Sequence, residues 1–157
     1  MKIVFLDFDG VLVNGPSFGS DGGEDATADP RCVHALNHII EATGAAIVVT
    51  SAWRIDAEPG EMRQTLDGWG VRGRYLGCTP DQCGPGHWGS RGSEIQKWMD
   101  EHRSIGIEAF VILDDIDDMD GLADKLVQTQ FDAGLTMADA SRAIAILLEE
   151  KKANSKK

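Results

Sequence analysis

Two aspartates near the start of the chain are spaced so that their carboxylates could act together. Asp7 and Asp9 end a short apolar run in the segment FLDFDGVL, and residues two apart at a strand end point to the same side. Carboxylates buried side by side repel each other unless a cation lies between them, and their oxygens are typical Mg²⁺ ligands. A carboxylate kept ionised in this way can attack phosphorus. Gly10 follows directly and allows a sharp turn beneath the pair.

Further polar side chains follow other apolar runs. Thr50, Ser51 and Arg54 come after the run AAIVV, and Asp114 and Asp115 come after the run VIL. The two later carboxylates can supply an additional metal ligand from a neighbouring strand. If these runs are parallel strands, their carboxyl ends share one edge of a sheet, which is where ligands bind in folds of this class. The sequence therefore predicts a metal-dependent phosphoryl-transfer site at that edge.

The elements that must hold these residues alternate between strand and helix. Short β-rich apolar runs predict five strands, at residues 2–8, 45–50, 71–78, 108–113 and 126–131. Periodicity and capping residues predict helices at residues 30–43, 57–68, 93–104 and 136–150. This alternation predicts an α/β fold, a doubly wound, Rossmann-like five-stranded parallel sheet with helices on both faces. We interpret residues 1–150 as a single domain and residues 151–157 as a polar C-terminal tail.

The composition argues against several classes of partner. The chain has 157 residues and a formal net charge of −11, which disfavours broad non-specific binding of nucleic acid. It contains no run of eighteen apolar residues, so no membrane association is expected. Three cysteines are an odd, small set typical of reduced thiols, and we expect a cytoplasmic protein. The sequence leaves open whether a local basic patch lies near the site. Its candidate members are Arg54, Arg63, Arg72, Arg74 and Arg91.

The segment FLDFDGVL resembles the first motif of the haloacid dehalogenase-like (HAD) superfamily, in which DxD precedes a small residue and two hydrophobic residues. The resemblance extends over nearly the whole chain. It implies a HAD-type phosphatase, a phosphoric monoester hydrolase, in which Asp7 is the nucleophile and forms an aspartyl-phosphate. Asp9 is then the general acid/base that protonates the leaving oxygen and afterwards activates water. The implied cofactor is Mg²⁺, bound by the Asp7 side chain and the Asp9 backbone carbonyl.

The second and third motifs of the superfamily resemble IVVTSAWR and SRGSEIQKWM. Ser51 is favoured over Thr50 as the hydroxyl that hydrogen-bonds a phosphate oxygen, because alternation along the strand admits only one of them. Arg91 fits the basic residue at a helix start and would pair with phosphate and with Asp7. Lys97 is the alternative for that role.

The fourth motif, an acidic pair closing a hydrophobic strand, resembles VILDDIDDMD. Asp115 is the favoured direct metal ligand, with Asp114 and Asp118 as auxiliary ligands. Three residues make up the substrate-binding candidates, namely Gly10, Thr50 and Arg54. Arg54 either binds the substrate beyond its phosphate or pairs with an acidic neighbour.

A closer resemblance is carried by SAWR, RGSEIQKWM, ILDDIDDM and a later GLT. Together they resemble the HAD domain of multi-enzyme RNA-repair proteins. The connections after the first and second strands are too short for a cap domain, and an open site suits a phosphate at the end of a large molecule. The candidate substrates are therefore RNA or DNA ends and nucleotides, with residues 14–29 or 79–90 as lids if the substrate is small.

Two alternatives stay open at this point. A non-catalytic or regulatory module of the same fold could bind phosphate or a partner. Asp9 favours turnover instead, because it would hydrolyse the intermediate that such a module must keep. Trp53 could stack on a base, although burial in the core is the favoured interpretation.

Overall fold

The structure is a computed structural model that describes residues 1–19, 26–55, 57–81 and 89–155, with side chains up to residue 149. The two predicted lid segments, 14–29 and 79–90, lie partly outside these ranges. None of the helices in the described residues has the length and apolar composition needed to cross a membrane.

Five parallel strands form one sheet in the order β3-β2-β1-β4-β5. The strands are β1 (Lys2–Leu6), β2 (Ala46–Val49), β3 (Tyr75–Cys78), β4 (Ala109–Asp114) and β5 (Leu126–Gln128). The predicted parallel five-stranded α/β sheet is therefore confirmed. Strand β1 lies at its centre, with β2 and β3 on one side and β4 and β5 on the other.

Helices connect the strands and cover both faces of the sheet. They are α1 (Gly15–Phe18), α2 (Pro30–Thr43), α3 (Glu61–Gly68), α4 (Arg91–Glu101) and α5 (Met137–Ser155). Local signals set the bounds of α2 as predicted. The Asp29 side chain accepts a hydrogen bond from the first turn, Pro30 is the first helical residue, and Gly44 ends the helix in the left-handed region at φ 71°.

Several element boundaries differ from the prediction. Strand β3 begins at Tyr75 rather than residue 71, β5 ends at Gln128 rather than residue 131, and α3 begins at Glu61 rather than residue 57. Helix α1 was not predicted, and it forms because Asn14 and Ser17 make a reciprocal capping box. Helix α4 begins at Arg91 rather than Ser93, since the Ser90 side chain caps it by accepting from the Ser93 N–H. Helix α5 continues to Ser155, so the predicted boundary after residue 150 falls within a helix.

Alternation along β1 assigns its side chains to two separate cores. Val4 and Leu6 pack in the larger core with residues of α2 and α5, whereas Ile3 and Phe5 pack in the smaller core beneath α4. Trp98 of α4 meets the Phe5 ring edge-to-face at 5.7 Å between ring centroids. Since side chains alternate, the residue after Leu6 belongs on the α4 side of the sheet.

Candidate active site

A row of buried polar residues crosses the carboxyl edge of the sheet. The Asp7 N–H donates to the Leu113 carbonyl at 3.1 Å and the Thr50 N–H donates to Leu6 at 2.8 Å, so both residues continue the strand register by one position. Strand β3 is extended in the same way by Thr79, whose N–H donates to Val49 at 3.0 Å. The row consists of Thr79, Thr50, Asp7 and Asp114, all of which are buried.

Three carboxylates meet at the centre of this edge. Asp7, Asp114 and Asp115 each offer one oxygen, and these oxygens all lie within 4.8 Å of one another. Burial is the main cause that raises the pKa of both Asp7 and Asp114, and the charge of Asp7 raises the pKa of Asp114 further. The site therefore holds acidic groups that are costly to ionise together without a positive charge.

Arg91 supplies positive charge from the first residue of α4. Its Nη1 lies 3.7 Å from an Asp7 oxygen, and its Nε lies 3.4 Å from Asp114 Oδ2. Nη1 also donates to the Thr50 carbonyl. This guanidinium counteracts the rise in the pKa of both Asp7 and Asp114. The structure thus brings Arg91 to Asp7, which is the neighbour predicted for it.

The start of α4 can approach the site closely because Gly92 has no side chain. A Cβ atom at this position would lie 2.2 Å from the Met119 carbonyl oxygen. The Gly92 N–H instead donates to the Asp118 carbonyl at 2.9 Å. This contact fixes the beginning of α4, and with it Arg91, against the segment that follows β4.

The donor set of this cluster fits a divalent cation. If all three carboxylates were ionised, they would carry two more negative charges than the one guanidinium beside them neutralises. Asp114 Oδ2 is buried and accepts no hydrogen bond in the described structure, and such an atom calls for a ligand. Hard carboxylate oxygens are what Mg²⁺ prefers. Asp7, Asp114 and Asp115 are the residues that would hold it.

Two other predicted metal ligands, Asp118 and Asp9, do not place their carboxylates in this cluster. The Asp118 side chain is exposed and is not one of the three grouped carboxylates. The Asp9 carboxylate is also outside that group and is bound elsewhere. The predicted contribution of Asp9 through its backbone carbonyl stays a prediction, as does an auxiliary role for Asp118.

The turn after β1 depends on Gly10, which adopts φ 85°. A Cβ atom there would lie 2.4 Å from Asp115 Cγ, so glycine leaves the space that the Asp115 side chain fills. The Gly10 carbonyl accepts a hydrogen bond from the buried Thr129 hydroxyl at 2.5 Å. Thr129 was not among the sequence candidates, because nothing local in its segment indicates a contact with the first turn.

Trp53 binds the carboxylate of Asp9. The indole Nε1 lies 3.1 Å from each of the two Asp9 oxygens. Burial is the main cause that raises the pKa of Asp9, and this hydrogen bond acts in the opposite direction. The sequence favoured a packing role for Trp53 and did not indicate its contact with Asp9.

The two hydroxyls after β2 have different surroundings. The Ser51 hydroxyl accepts a hydrogen bond from the Trp53 N–H at 3.2 Å and so caps the short 3-10 turn Ala52–Arg54. The Thr50 hydroxyl is buried, has no hydrogen-bond partner in the described structure, and belongs to the row that contains Asp7. The preference for Ser51 as the phosphate-binding hydroxyl stays a prediction, with Thr50 as the alternative.

Arg54 is held by the protein itself. Its Nη2 donates to Glu94 at 2.9 Å, and both side chains are only 7% exposed. The remaining hydrogen bonds reach main-chain carbonyl oxygens at 2.9–3.3 Å, those of Thr50, Ser51, Thr79 and Pro80. Of the two alternatives for Arg54, the structure shows pairing with an acidic neighbour. We name this arrangement, Arg54 with Glu94 and the four carbonyls, the Arg54 clasp.

Two of the five arginines considered for a basic patch near the site lie away from it. Arg72 and Arg74 precede β3 and therefore lie toward the opposite, amino-terminal edge of the parallel sheet. Arg72 is paired with Glu41 on α2. Lys97, the alternative to Arg91, is half-exposed and pairs with Glu101 at 3.9 Å along its own helix.

The sheet order and the residues at its carboxyl edge define a class of protein. A central strand followed by Asp7 and Asp9, with hydroxyls after one neighbouring strand and an acidic pair at the other, is the arrangement expected of a HAD-like α/β hydrolase. The chain belongs to the family described as the HAD domain in Swiss Army Knife RNA repair proteins, whose model matches residues 3–140. Comparison with curated proteins gave no significant match. The predicted family and fold class are confirmed, and within the described residues no cap domain covers the site.

Proposed function

We propose that the protein is a Mg²⁺-dependent phosphomonoesterase that uses Asp7 as its nucleophile. An Asp7 oxygen forms a bond to phosphorus while the bond from phosphorus to the leaving oxygen breaks. Asp9 gives its proton to that oxygen, and the alcohol departs. Asp9 then takes a proton from water, which attacks phosphorus, releases inorganic phosphate and restores the Asp7 carboxylate.

One observation carries this proposal. Asp7 is buried at the end of the central strand, in contact range of the Arg91 guanidinium and of two further carboxylates, Asp114 and Asp115. A carboxylate in that position can face a phosphoryl group whose other oxygens meet positive charge. A solvated acidic turn would need neither the neighbouring guanidinium of Arg91 nor the shared edge of neighbouring strands.

The remaining residues have assigned roles in the proposal. Arg91 orients the phosphoryl group and neutralises part of its charge, since its fork of donors suits phosphate oxygens. Asp7, Asp114 and Asp115 would hold Mg²⁺, which supplies charge neutralisation at the phosphoryl oxygens when bound. The Arg54 clasp keeps the segments after β2 and β3 in place beside them.

The proposed substrate is a terminal phosphate of RNA. Its support is the family, whose description names RNA repair proteins, and the absence of a cap domain over the site within the described residues. The net charge of −11 and the position of Arg72 and Arg74 away from the site edge argue against wide contact with a polyanion. We therefore propose recognition of the terminal phosphate and its first nucleotide rather than of a long backbone.

The test is phosphate release with and without Mg²⁺, comparing the parent protein with Asp7→Asn. The panel contains p-nitrophenyl phosphate, mononucleotides, and RNA and DNA oligomers with 3′ or 5′ phosphates. We expect Mg²⁺-dependent release that falls by at least about 10³-fold in the variant, because the amide is a poor nucleophile. Preference for an RNA end supports the proposed substrate, whereas preference for mononucleotides contradicts it.

Two results would overturn the phosphatase proposal itself. One is the absence of release from every substrate by a folded protein that binds Mg²⁺. The other is an Asp7→Asn variant as active as the parent. Either outcome would favour the alternative of a phosphate- or partner-binding module with the same fold.

A further inference from the structure

The contact between Trp53 and Asp9 joins the proposed acid/base to a second segment of the chain. The indole nitrogen lies 3.1 Å from both Asp9 oxygens and is 44 positions away in sequence. Both side chains are only partly buried. Trp53 therefore reaches Asp9 at the edge where a substrate would enter, rather than deep in the core.

The position of Trp53 is itself determined by packing. Its ring meets the Phe8 ring edge-to-face at 5.5 Å and the Trp69 ring at 5.6 Å. Phe8 is fully buried and lies between Asp7 and Asp9 in the chain. The Ser51 hydroxyl accepts from the Trp53 main-chain N–H as well. The indole N–H is thus a fixed donor, because aromatic contacts hold the ring and a hydrogen bond to Ser51 holds the main chain.

A fixed indole donor suits a carboxyl group that must change its protonation state. The indole N–H donates only and does not titrate, so it can hold the Asp9 carboxyl whether that group is protonated or ionised. Each carboxyl oxygen has more than one acceptor site, so the contact shared by both oxygens still leaves a site for proton transfer. An acid/base works only when its proton-carrying atom is within hydrogen-bond reach of the reacting group.

We propose that Trp53 is a positioning residue, which holds the Asp9 carboxyl in place for proton transfer to the leaving oxygen. This inference rests on the proposed function and deepens it. In this role Trp53 contacts the Asp9 side chain and not phosphorus or the three grouped carboxylates of Asp7, Asp114 and Asp115. Its contribution is to the step in which the leaving oxygen needs a proton.

This role predicts a dependence on the leaving group that a packing role does not. p-Nitrophenolate is a stable anion and departs with little need for a proton, whereas the alkoxide of a ribose hydroxyl needs one. Loss of the indole donor should therefore slow alcohol release from an alkyl phosphate much more than from p-nitrophenyl phosphate. Loss of fold stability would reduce both rates by the same factor.

The variant for this test is Trp53→Phe, which keeps an aromatic ring and removes the N–H. We expect the single-turnover rate of alcohol release to fall by about tenfold or more for the best alkyl phosphate of the panel, with KM nearly unchanged. For p-nitrophenyl phosphate the rate should fall by less than about threefold. Trp69→Phe is the matched control, because Trp69 packs on the same Phe8 ring and donates no hydrogen bond to Asp9 in the described structure. Its rates should remain near those of the parent.

A second measurement detects the contact without any turnover. The chain has four tryptophans, so the indole N–H signal of Trp53 can be assigned in a ¹H–¹⁵N spectrum by its loss in Trp53→Phe. We expect this signal to shift upfield in Asp9→Ala while the signals of the other tryptophans move less. An unmoved Trp53 signal would show that the hydrogen bond is absent and would overturn the inference even if the protein is an active phosphatase.

The kinetic outcomes separate the two proposals. Equal losses for both substrates in Trp53→Phe, or an equal loss in Trp69→Phe, would overturn the positioning role and leave the phosphatase proposal intact. Failure of the parent to release phosphate from any substrate would overturn the proposed function and the inference with it. A selective loss with the alkyl phosphate, together with the shifted indole signal, is the result that we expect.

Discussion

Two arginines at the same edge of the sheet have opposite surroundings. Arg54 is 7% exposed and donates to Glu94 and to main-chain carbonyls at 2.9–3.3 Å. Arg91 is 15% exposed and lies at longer range from its acidic neighbours, 3.4 Å from Asp114 and 3.7 Å from Asp7. The first network is complete within the protein, whereas the second is not.

The difference between the two arginine networks indicates which of them has room for a ligand. A buried polar network with all its members satisfied makes a structure rigid, while a partly satisfied one is costly unless something else binds. The Arg54 clasp ties together the segments after β2 and β3 and helix α4. The cluster beside Arg91 groups three carboxylates around one guanidinium and contains a buried oxygen, Asp114 Oδ2, that has no hydrogen bond in the described structure. We therefore expect substitutions at Arg54 to affect stability first, and substitutions at Arg91 to affect activity first.

The largest expected effect follows from Arg54→Ala. The substitution removes the guanidinium that faces the buried Glu94 carboxylate, together with the donors to four carbonyls, and we expect the free energy of unfolding to fall by about 3–5 kcal/mol. Denaturation with urea measures it. In a double-mutant cycle with Glu94→Leu, the double variant should lose less than the sum of the single losses. Additive losses would show that the pair does not act as a unit.

Arg91→Ala should instead reduce phosphate release by about 10²- to 10³-fold, since it removes charge stabilisation at the phosphoryl group. We expect its free energy of unfolding to change by less than that of Arg54→Ala. Arg91→Lys should recover part of the activity, because it keeps the charge but not the fork of donors. Lys97→Ala is the control, and its activity should equal that of the parent. A Lys97 variant that loses as much activity would reverse the assignment of the two residues.

Mg²⁺ should stabilise the parent protein at the cluster beside Arg91. At a concentration of about 100 times Kd, the expected gain is about 2.7 kcal/mol, or roughly 5–10 °C in Tm. Asp115→Asn should reduce this gain, because it removes one of the three grouped carboxylates. Asp118→Asn is the matched control, since the Asp118 side chain is exposed. An equal reduction in both variants would support the auxiliary role predicted for Asp118.

The smallest effect is expected at an exposed arginine. Arg31 is 84% exposed and pairs with Asp29 at 3.0 Å, so Arg31→Ala should lower the free energy of unfolding only slightly, and by less than any of the substitutions above. Hydrogen bonds from the Arg31 side chain and N–H and from Asn14 hold the pKa of Asp29 below its ordinary value. A lowered pKa in the folded state contributes stability that is fully present above the unfolded pKa of about 4 and that is lost progressively as the pH falls from there through the lower folded pKa. Unfolding measured at pH 7 and pH 3 should therefore differ less in Arg31→Ala than in the parent. A loss at pH 7 as large as that of Arg54→Ala would show that burial does not explain the contrast between the two arginines.

The order of strands and helices in this protein, and the polar residues at the strand ends, could be predicted from the sequence alone. Alternating apolar runs and helical periods predicted the parallel sheet, and Asp29, Pro30 and Gly44 predicted the bounds of α2 because capping is a local interaction. Asp7 and Asp114 were also recognisable from local sequence, since Asp7 follows β1 directly and Asp114 is the last residue of β4. Their meeting at one edge required only that the strands be parallel.

Which side chains meet around that edge could be seen only in the folded protein. The Trp53 indole binds Asp9 across 44 positions, and the Thr129 hydroxyl binds the Gly10 carbonyl across 119 positions. The partner of Arg54 among several acidic residues likewise depended on how α4 packs beside β2 and β3. Contacts of this kind leave no local pattern, because they arise from the packing of segments far apart in the chain.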